Sequence, residues 1–359
     1  MPAHISHLLF AEDVLREAVP DAESLLQHAG NLFRFGAQGP DIFYHNQRTR
    51  PLGLRYGSLI HRHRFGSMVA HMTQTAVNAA RRTGTADLQQ AAYLLGFATH
   101  AELDRFTHPY IICRAGWVRA QDPASQRYRR CHAFLERLLD VVALRAVRSL
   151  ELHQFDFFSQ IYCGEGLPYS ALKMLVKAVT EVYPSASYKS RNRRRIENAY
   201  GDAIRFYTLT DHRNPLLRTR ALELDRREGA HYRRGAVFHF PDLGQELDPA
   251  NLQHRPWPHP CCPEVSSDES FLDLMAAARA ALVPRISRLA TILGLAARGE
   301  TRFASDAGET FTELATSFGD QSLGATRDGR TCTPIHAEPL PLAELLEGLH
   351  RESAAATSA

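Results

Sequence analysis

The chain contains seven long amphipathic stretches in which apolar residues recur every three or four positions, as they do on one face of an α-helix. These stretches span residues 7–19, 58–82, 88–108, 129–147, 170–183, 191–209 and 271–293. No stretch shows convincing alternation of apolar and polar residues at the period of two that marks a half-buried strand. The pattern therefore predicts an all-α fold built as a multi-helix bundle.

The stretches between the predicted helices differ in character. Residues 33–47 contain Gly36, Gly39 and Pro40 and are predicted to form an ordered loop. Residues 228–269 are rich in Pro, Gly, His and aromatic residues and indicate a long irregular segment. After the last predicted helix the chain turns small and polar. We expect a helical domain over 1–215, an irregular segment plus a helix packing on or capping it over 216–299, and a polar, partly disordered extension over 300–359.

Composition narrows the class of protein. The 359 residues include 42 Lys and Arg against 39 Asp and Glu, and a net charge of +3 gives no strong attraction to nucleic acid or membranes. No apolar run is long enough to predict a transmembrane helix, and the N-terminal residues lack the features of a signal peptide. The six cysteines form no C-x-x-C pair and are expected to be reduced. The expected location is the cytoplasm.

The most informative feature is a set of metal-type ligands at helical spacing. His100, Asp104 and His108 follow one another in steps of four, and His132 and Glu136 are again four apart. A step of four returns to nearly the same face of a helix, so each set projects its side chains together. Imidazole and carboxylate groups are typical zinc ligands, and two facing helices could hold more than one ion. The spacing therefore predicts a metal cluster in the helical core.

Three further donors precede these helices, and the whole series resembles a known family. His7, Asp41 at the end of GAQGPD, and His61 at the end of GSLIH complete a series of eight donors. The series resembles the bacterial zinc-dependent phospholipase C family, to which the S1/P1-type nucleases are distantly related. A later N-x-x-x-x-x-W-x-x-P piece, Asn251 to Pro260, is similar to the same family. The resemblance implies an all-helical fold around a trinuclear zinc cluster.

The resemblance also implies how the donors are shared among up to three zinc ions. One ion would be held by Asp41, His61, His100 and Asp104. A second would be held by His108, His132 and Glu136. His7 would hold the third, and Asp104 would bridge two ions. A glutamate at position 136 resembles the phospholipase branch, whereas the nuclease branch has an aspartate there.

The third zinc site departs from the family pattern. Secreted relatives complete it with the amino group and carbonyl of an N-terminal Trp exposed by signal cleavage, and this chain has no such residue. Residue 2 is Pro, before which methionine is normally removed, and it lies five residues before His7. The hypothesis is therefore that Pro2, rather than Met1, completes the third site.

This donor set suits the hydrolysis of a phosphodiester. The reaction needs cations to offset the charge on the phosphoryl and leaving oxygens, and it needs hydroxide at neutral pH, both of which zinc supplies. Asp41 is expected to act as general base as well as ligand, as its relatives imply. The expected enzyme is a zinc-dependent phosphodiesterase of phospholipase C type, acting on a phospholipid or a small phosphodiester.

Two other functions are compatible with the same donor set. The alternatives are an S1/P1-like nuclease or nucleotidase and a non-catalytic helical zinc-binding protein. Nucleic acid is not expected as a partner, because Glu197 and Asp202 follow the basic run 191–195 on one helix. A phospholipid substrate would allow peripheral membrane contact.

Several residues near the candidate site have two interpretations. His61 is preferred over His63 as the ligand. His4, His28 and His45 could hydrogen-bond to the ligands, and Cys261 and Cys262 could form another metal site with His254 and His259. An aromatic lip over the cluster and a simply packed loop are equally good interpretations of the segment that contains Trp257, Tyr232, Phe238 and Phe240.

Overall fold

The computed structural model describes residues 4–184, 189–228, 233–240, 247–295, 307–327 and 330–356. These residues form fourteen α-helices and two short antiparallel hairpins, which confirms the all-α class. The helices are α1 (His4–Ala18), α2 (Ala22–Ala37), α3 (Ile42–His45), α4 (Leu54–Arg62), α5 (Phe65–Thr83), α6 (Leu88–Ala115), α7 (Cys131–Arg148), α8 (Phe157–Ile161), α9 (Tyr169–Val182), α10 (Asn192–Leu209), α11 (Pro215–Arg227), α12 (Phe271–Ile292), α13 (Ala307–Phe318) and α14 (Leu342–Ala356). Strand β1 (Trp257–His259) pairs with β2 (Cys262–Ser267), and β3 (Thr326–Arg327) pairs with β4 (Arg330–Thr331).

Helix α6 is the centre of the molecule. Asp87 caps its N-terminus by accepting hydrogen bonds from the backbone N–H groups of Gln89 and Gln90. Residues are buried on every side of this helix, and it packs against α1, α2, α5, α7, α9 and α12. A helix that is apolar on all faces belongs in a core rather than at a surface. The polar residues of α6 therefore have to find partners inside the bundle.

The stretch 58–82 is not one helix, as its periodicity predicts, but two. Helix α4 ends at Arg62, His63 is extended, and Arg64 lies in the left-handed region with φ 67° before α5 begins. The left-handed backbone at Arg64 turns the chain, so His61 lies on a short helix of its own. The prediction of a continuous helix is therefore wrong at this point.

The stretch 33–47 is helical rather than a loop. Helix α2 continues to Ala37, a 3-10 turn spans Gly39–Asp41, and α3 follows without a break. Gly36 and Gly39 allow close packing: a Cβ at Gly36 would overlap the Tyr93 carbonyl, and one at Gly39 would overlap the His100 ring. Gly36 lies inside α2 where α6 packs against it, whereas Gly39, with φ 56°, lies in the left-handed region just after α2 ends.

The C-terminal stretch differs from the polar extension predicted over 300–359. Helices α13 and α14 lie there, and both supply side chains to the common core, including Leu314, Phe318, Leu342 and Leu346. The division of the chain at residues 215 and 299 stays a prediction.

One disulfide contradicts the prediction that the cysteines are reduced. Cys261, in the turn between β1 and β2, is bonded to Cys332, which follows β4, so the two hairpins are tied together. The same bond excludes Cys261 from the alternative metal site suggested by the Cys-Cys pair.

Within the described ranges, no helix is both long enough and apolar enough to cross a membrane.

Candidate metal centre

Five elements bring the eight predicted donor side chains to one place. His7 lies on α1, Asp41 ends the 3-10 turn after α2, and His61 lies on α4. The remaining five project from α6 and α7, whose spacing of four residues places them on facing sides of the two helices. They are His100, Asp104 and His108 on α6 and His132 and Glu136 on α7. Donors distant in the sequence thus surround a single point.

Asp104 is the central carboxylate. Its Oδ1 lies 3.2 Å from His7 Nε2 and 3.8 Å from His108 Nε2. Its Oδ2 lies 3.2 Å from His100 Nε2 and 3.8 Å from His61 Nε2. The two oxygens therefore face different pairs of imidazoles, which is the arrangement of a carboxylate that bridges two ions.

Asp41 closes one side of the cluster and Glu136 the other. Asp41 approaches His61 Nε2 at 3.0 Å and His100 Nε2 at 3.5 Å. On the opposite side, the Glu136 carboxylate lies 3.1 Å from His132 Nε2 and 3.9 Å from His108 Nε2. Three subsets have donor atoms all within 4.8 Å of one another and could each hold an ion. They are His7–Asp41–His100, His61–His100–Asp104 and His108–His132–Glu136.

These separations are compatible with metal coordination. Two atoms bound tetrahedrally to one zinc at about 2.0–2.1 Å lie about 3.4 Å apart. The N···O distances range from 3.0 to 3.9 Å, and four of the eight exceed the usual range of an N–H···O bond. His100 Nε2 and His7 Nδ1 are buried without a hydrogen-bond partner among the described residues. Nitrogens in such a position fit a cation that completes the cluster.

Backbone carbonyls orient the histidine rings from behind. His61 Nδ1 contacts the carbonyl of Gly57 at 2.7 Å, His100 Nδ1 that of Ala37 at 3.2 Å, and His108 Nδ1 that of Leu323. An Nδ1–H that donates to a carbonyl leaves the Nε2 lone pair free for a metal. In each of the three rings Nε2 is the nitrogen that faces the carboxylates. The rings are therefore held in the orientation that ligation requires.

The carboxylates are anionic and His108 is neutral at neutral pH. Burial opposes ionisation of Asp104, but His108 and His100 hold its pKa well below its usual range. Burial also opposes ionisation of Asp41, whose pKa is lowered by His100 and His61. Burial lowers the pKa of His108. Anionic oxygens and neutral imidazoles are the protonation states that bind a divalent cation.

A solvent-open pocket leads to the cluster. A pocket of about 230 Å³ is lined by seven residues: Asp41, Tyr44, His61, Asp104, His108, His132 and Glu136. His100 and His7 form the buried wall behind it, at 0 % and 2 % exposure. Sequence reasoning missed Tyr44, whose ring lies 4.9 Å from that of His61. Its position three residues after Asp41, on the following helix, was the available signal.

A buried polar network joins the two helices that carry His7 and Glu136. Asp140 on α7 accepts hydrogen bonds from the backbone N–H and hydroxyl of Ser6 at 2.7 and 2.9 Å, and it lies 2.8 Å from His239 Nε2. The guanidinium of Arg137, which is fully buried, lies 3.4 Å from the same carboxylate. Ser6 precedes His7 and Arg137 follows Glu136, so the network fixes the backbone next to two donors.

The remaining candidate histidines lie elsewhere. His63 is exposed and its ring lies 5.9 Å from that of Tyr183. His28 contacts the Ser24 carbonyl near the surface, whereas His4 is buried and contacts the Arg137 guanidinium at 2.9 Å. Pro2 falls outside the described residues, so the proposed third-site ligand stays a prediction.

The aromatic segment around Trp257 is packed rather than arranged as a lip over the cluster. The Trp257 indole donates to the Glu269 carbonyl at 3.0 Å and its ring packs on Tyr110. Phe238 and Phe240 are buried, and Tyr232 lies outside the described residues. The interpretation as a packed loop fits these contacts.

The fold and the donor set define a helical protein with a candidate multinuclear metal centre. Residues 4–189 match the family model of zinc-dependent phospholipase C. The match covers 186 of 359 residues, more than half, and the chain therefore belongs to the zinc-dependent phospholipase C family. This confirms the family predicted from the eight donors, all of which lie within the match, whereas the Asn251–Pro260 piece lies beyond it. Comparison with curated proteins and with solved structures gives no match.

Proposed function

We propose that this protein is a zinc-dependent phosphodiesterase of phospholipase C type, which hydrolyses a phospholipid or a related small phosphodiester. The observation that carries the proposal is the convergence of eight donor side chains around one solvent-open pocket. Membership of the family supports a hydrolase that depends on zinc. Glu136 favours the phospholipase branch over the nuclease branch.

The proposed cluster holds up to three zinc ions. The position of Asp104 between two pairs of imidazoles, together with the separate subset His108–His132–Glu136, supports more than one ion in the cluster. Zinc would supply Lewis acidity toward the phosphoryl oxygens and a hydroxide nucleophile at neutral pH. Pro2 would complete the site of His7 through its amino group after removal of Met1. An intact mass that retains Met1 in a fully metallated, active protein would contradict this last assignment.

Two pocket residues have proposed roles beyond ligation. Asp41 lines the pocket and reaches it from a 3-10 turn rather than from a long helix, which supports its proposed role as general base. Burial raises the pKa of Tyr44 well above its usual range, so its hydroxyl keeps its proton and can donate to a phosphoryl oxygen. Y44F is expected to weaken turnover while leaving the zinc content unchanged.

The test combines metal content with substrate choice. The purified full chain is loaded with zinc, counted by elemental mass spectrometry, and assayed on choline phospholipid vesicles, single-stranded DNA and a soluble aryl phosphodiester. His61 and His63 provide a matched pair: H61A should lose zinc and activity, whereas H63A should keep both. Zinc binding with no hydrolysis of either lipid or soluble diester would contradict the enzyme proposal.

The same assay decides between the alternatives. Preferential hydrolysis of DNA would favour the nuclease, and one zinc or none without turnover would favour a non-catalytic zinc-binding protein. Peripheral membrane contact follows from a lipid substrate and is tested by vesicle sedimentation.

The predicted cytoplasmic location remains a proposal. The Cys261–Cys332 bond argues against it, since disulfides persist in oxidising compartments. Cell fractionation tests the location, and thiol labelling of the protein in each fraction shows whether Cys261 and Cys332 are oxidised there.

A further inference from the structure

A C-terminal segment outside the family match contacts two of the candidate ligands directly. The backbone N–H of Leu323 donates to the carbonyl of His61 at 2.8 Å. The carbonyl of Leu323 is hydrogen-bonded to Nδ1 of His108. A single buried residue thus links α4 to α6 and orients one of the imidazoles. We call residues 318–327 the clamp segment.

The clamp segment also caps the start of α5 from outside the helix. The Asp320 carbonyl accepts from the Arg64 N–H at 3.0 Å, and the Gly319 carbonyl accepts from the Gly66 N–H at 2.9 Å. The Asp320 carboxylate accepts from the backbone N–H of Ser67 at 2.8 Å and from its hydroxyl at 2.7 Å. These bonds satisfy N–H groups that a helix start cannot satisfy internally. They also hold the chain turn that follows His61.

Helix α6 also binds the clamp segment, through hydrogen bonds from Arg105. Arg105, the residue after Asp104, donates to the carbonyl of Phe318 at 2.6 Å and to that of Gly319 at 3.0 Å. Arg105 is 8 % exposed. A buried guanidinium with backbone acceptors fixes its partners more firmly than a surface contact does. The segment is therefore fastened both to α5 and to the helix that carries three donors.

The disulfide secures the far end of the clamp segment. The Cys332 N–H donates to the Ala325 carbonyl at 3.2 Å, and Cys332 is bonded to Cys261. His259 Nε2 contacts the Thr326 carbonyl at 3.1 Å. The β1–β2 hairpin thus anchors the segment two residues after Leu323.

We propose that the clamp segment is a working part of the metal centre, with Asp320 and the Cys261–Cys332 disulfide as positioning groups. By fixing Leu323, they hold the His108 ring with Nε2 toward Glu136 and set the affinity of the zinc shared by His108, His132 and Glu136. The inference rests on the proposed zinc binding. Loosening the segment frees the ring and weakens that one site.

Two variants test the proposal, each with a matched control. D320A removes a carboxylate that accepts two hydrogen bonds at the start of α5. D87A removes a carboxylate that accepts two hydrogen bonds at the start of α6, thirteen residues before His100. C261S/C332S removes the disulfide, and C163S replaces a cysteine outside it. All are made in the full chain. The zinc retained per chain is measured at increasing chelator concentration. H132A shows which step of zinc loss belongs to the site formed by His108, His132 and Glu136.

The expected result is selective. D320A and C261S/C332S should lower the affinity of the zinc at His108 about 10-fold or more, the usual effect of removing a group that orients a ligand. D87A and C163S should bind zinc like the wild type, although D87A lowers the melting temperature as much as D320A. Equal zinc affinity in D320A and D87A would overturn the inference while leaving the proposed function intact. A wild-type chain that binds no zinc would overturn both.

Discussion

Removal of the Asp140 carboxylate should destabilise the metal-free protein strongly. D140A takes three hydrogen bonds of 2.7–2.9 Å from Ser6 and His239 and leaves the fully buried guanidinium of Arg137 without its carboxylate. Breaking a buried ion pair costs about 3–5 kcal/mol, and a buried N–H that loses its acceptor costs about 1–3 kcal/mol. Because such terms are not additive, we expect a loss of about 4 kcal/mol.

Replacement of Arg137 should lower the free energy of unfolding less than replacement of Asp140. In R137M the Asp140 carboxylate loses its counterion but keeps its hydrogen bonds from Ser6 and His239, so we expect a loss of about 3 kcal/mol, at the low end for a broken buried ion pair. D140L/R137M should be more stable than D140A, since it buries no charge without a counterion. The three free energies together measure the coupling between the two side chains.

The assay is urea unfolding of the chelated protein at pH 7, with the m-value as a check that the denatured state is unchanged. Asp13 gives the matched control, because it pairs with Arg148 at 2.8 Å near the surface, and D13A should cost under about 1 kcal/mol. If D140A were no less stable than D13A, or more stable than R137M, the network would not hold α1 to α7 as we infer.

Three further predictions concern the site and its surroundings. D104N should lower the zinc content by two ions per chain by elemental mass spectrometry, and a loss of one would contradict the bridging role. G39A should displace the His100 ring and release zinc into a chelating dye, whereas G84A, at a left-handed glycine with open space around it, should bind zinc normally. Burial lowers the pKa of His45 to about 3. Between pH 6.5 and 3 the unfolded state therefore takes up a proton that the folded state does not, so the chelated protein should lose about 1.4 kcal/mol per pH unit from this group as pH falls. H45N should lack this component in urea unfolding at pH 6.5 and 5, and parallel pH profiles would refute it.

The clustering of the candidate donors on α6 and α7 could be predicted because helical spacing is a local property. His100, Asp104 and His108 need only one regular helix to share a face, and the sequence of that helix is apolar enough to place them in a core. His61 and Asp41 required the family resemblance, since short helices and a 3-10 turn carry them. Tyr44 is not a ligand-type residue, so only its position three residues after Asp41 could have indicated it.

The wrong predictions have a common physical cause in distant contacts. The helix break at Arg64 is stabilised by Gly319 and Asp320, about 250 residues further along the chain. The sequence near Arg64 gives no sign of these capping residues. The sequence predicts a loop at Gly36, but this glycine lies inside a helix, because α6 packs too closely against it for a side chain. Turn propensity and close packing select the same residue, so sequence alone does not separate them.

The contacts of α12 bear on how this protein can be dissected or recombined. That helix packs on both α1 and α6, the elements that supply His7 and the central donors, although it lies beyond the family match. A truncated version ending near residue 189 would carry every donor side chain and still expose the apolar flanks of those two helices. The family match thus covers the candidate metal centre, whereas the folding unit extends well past it.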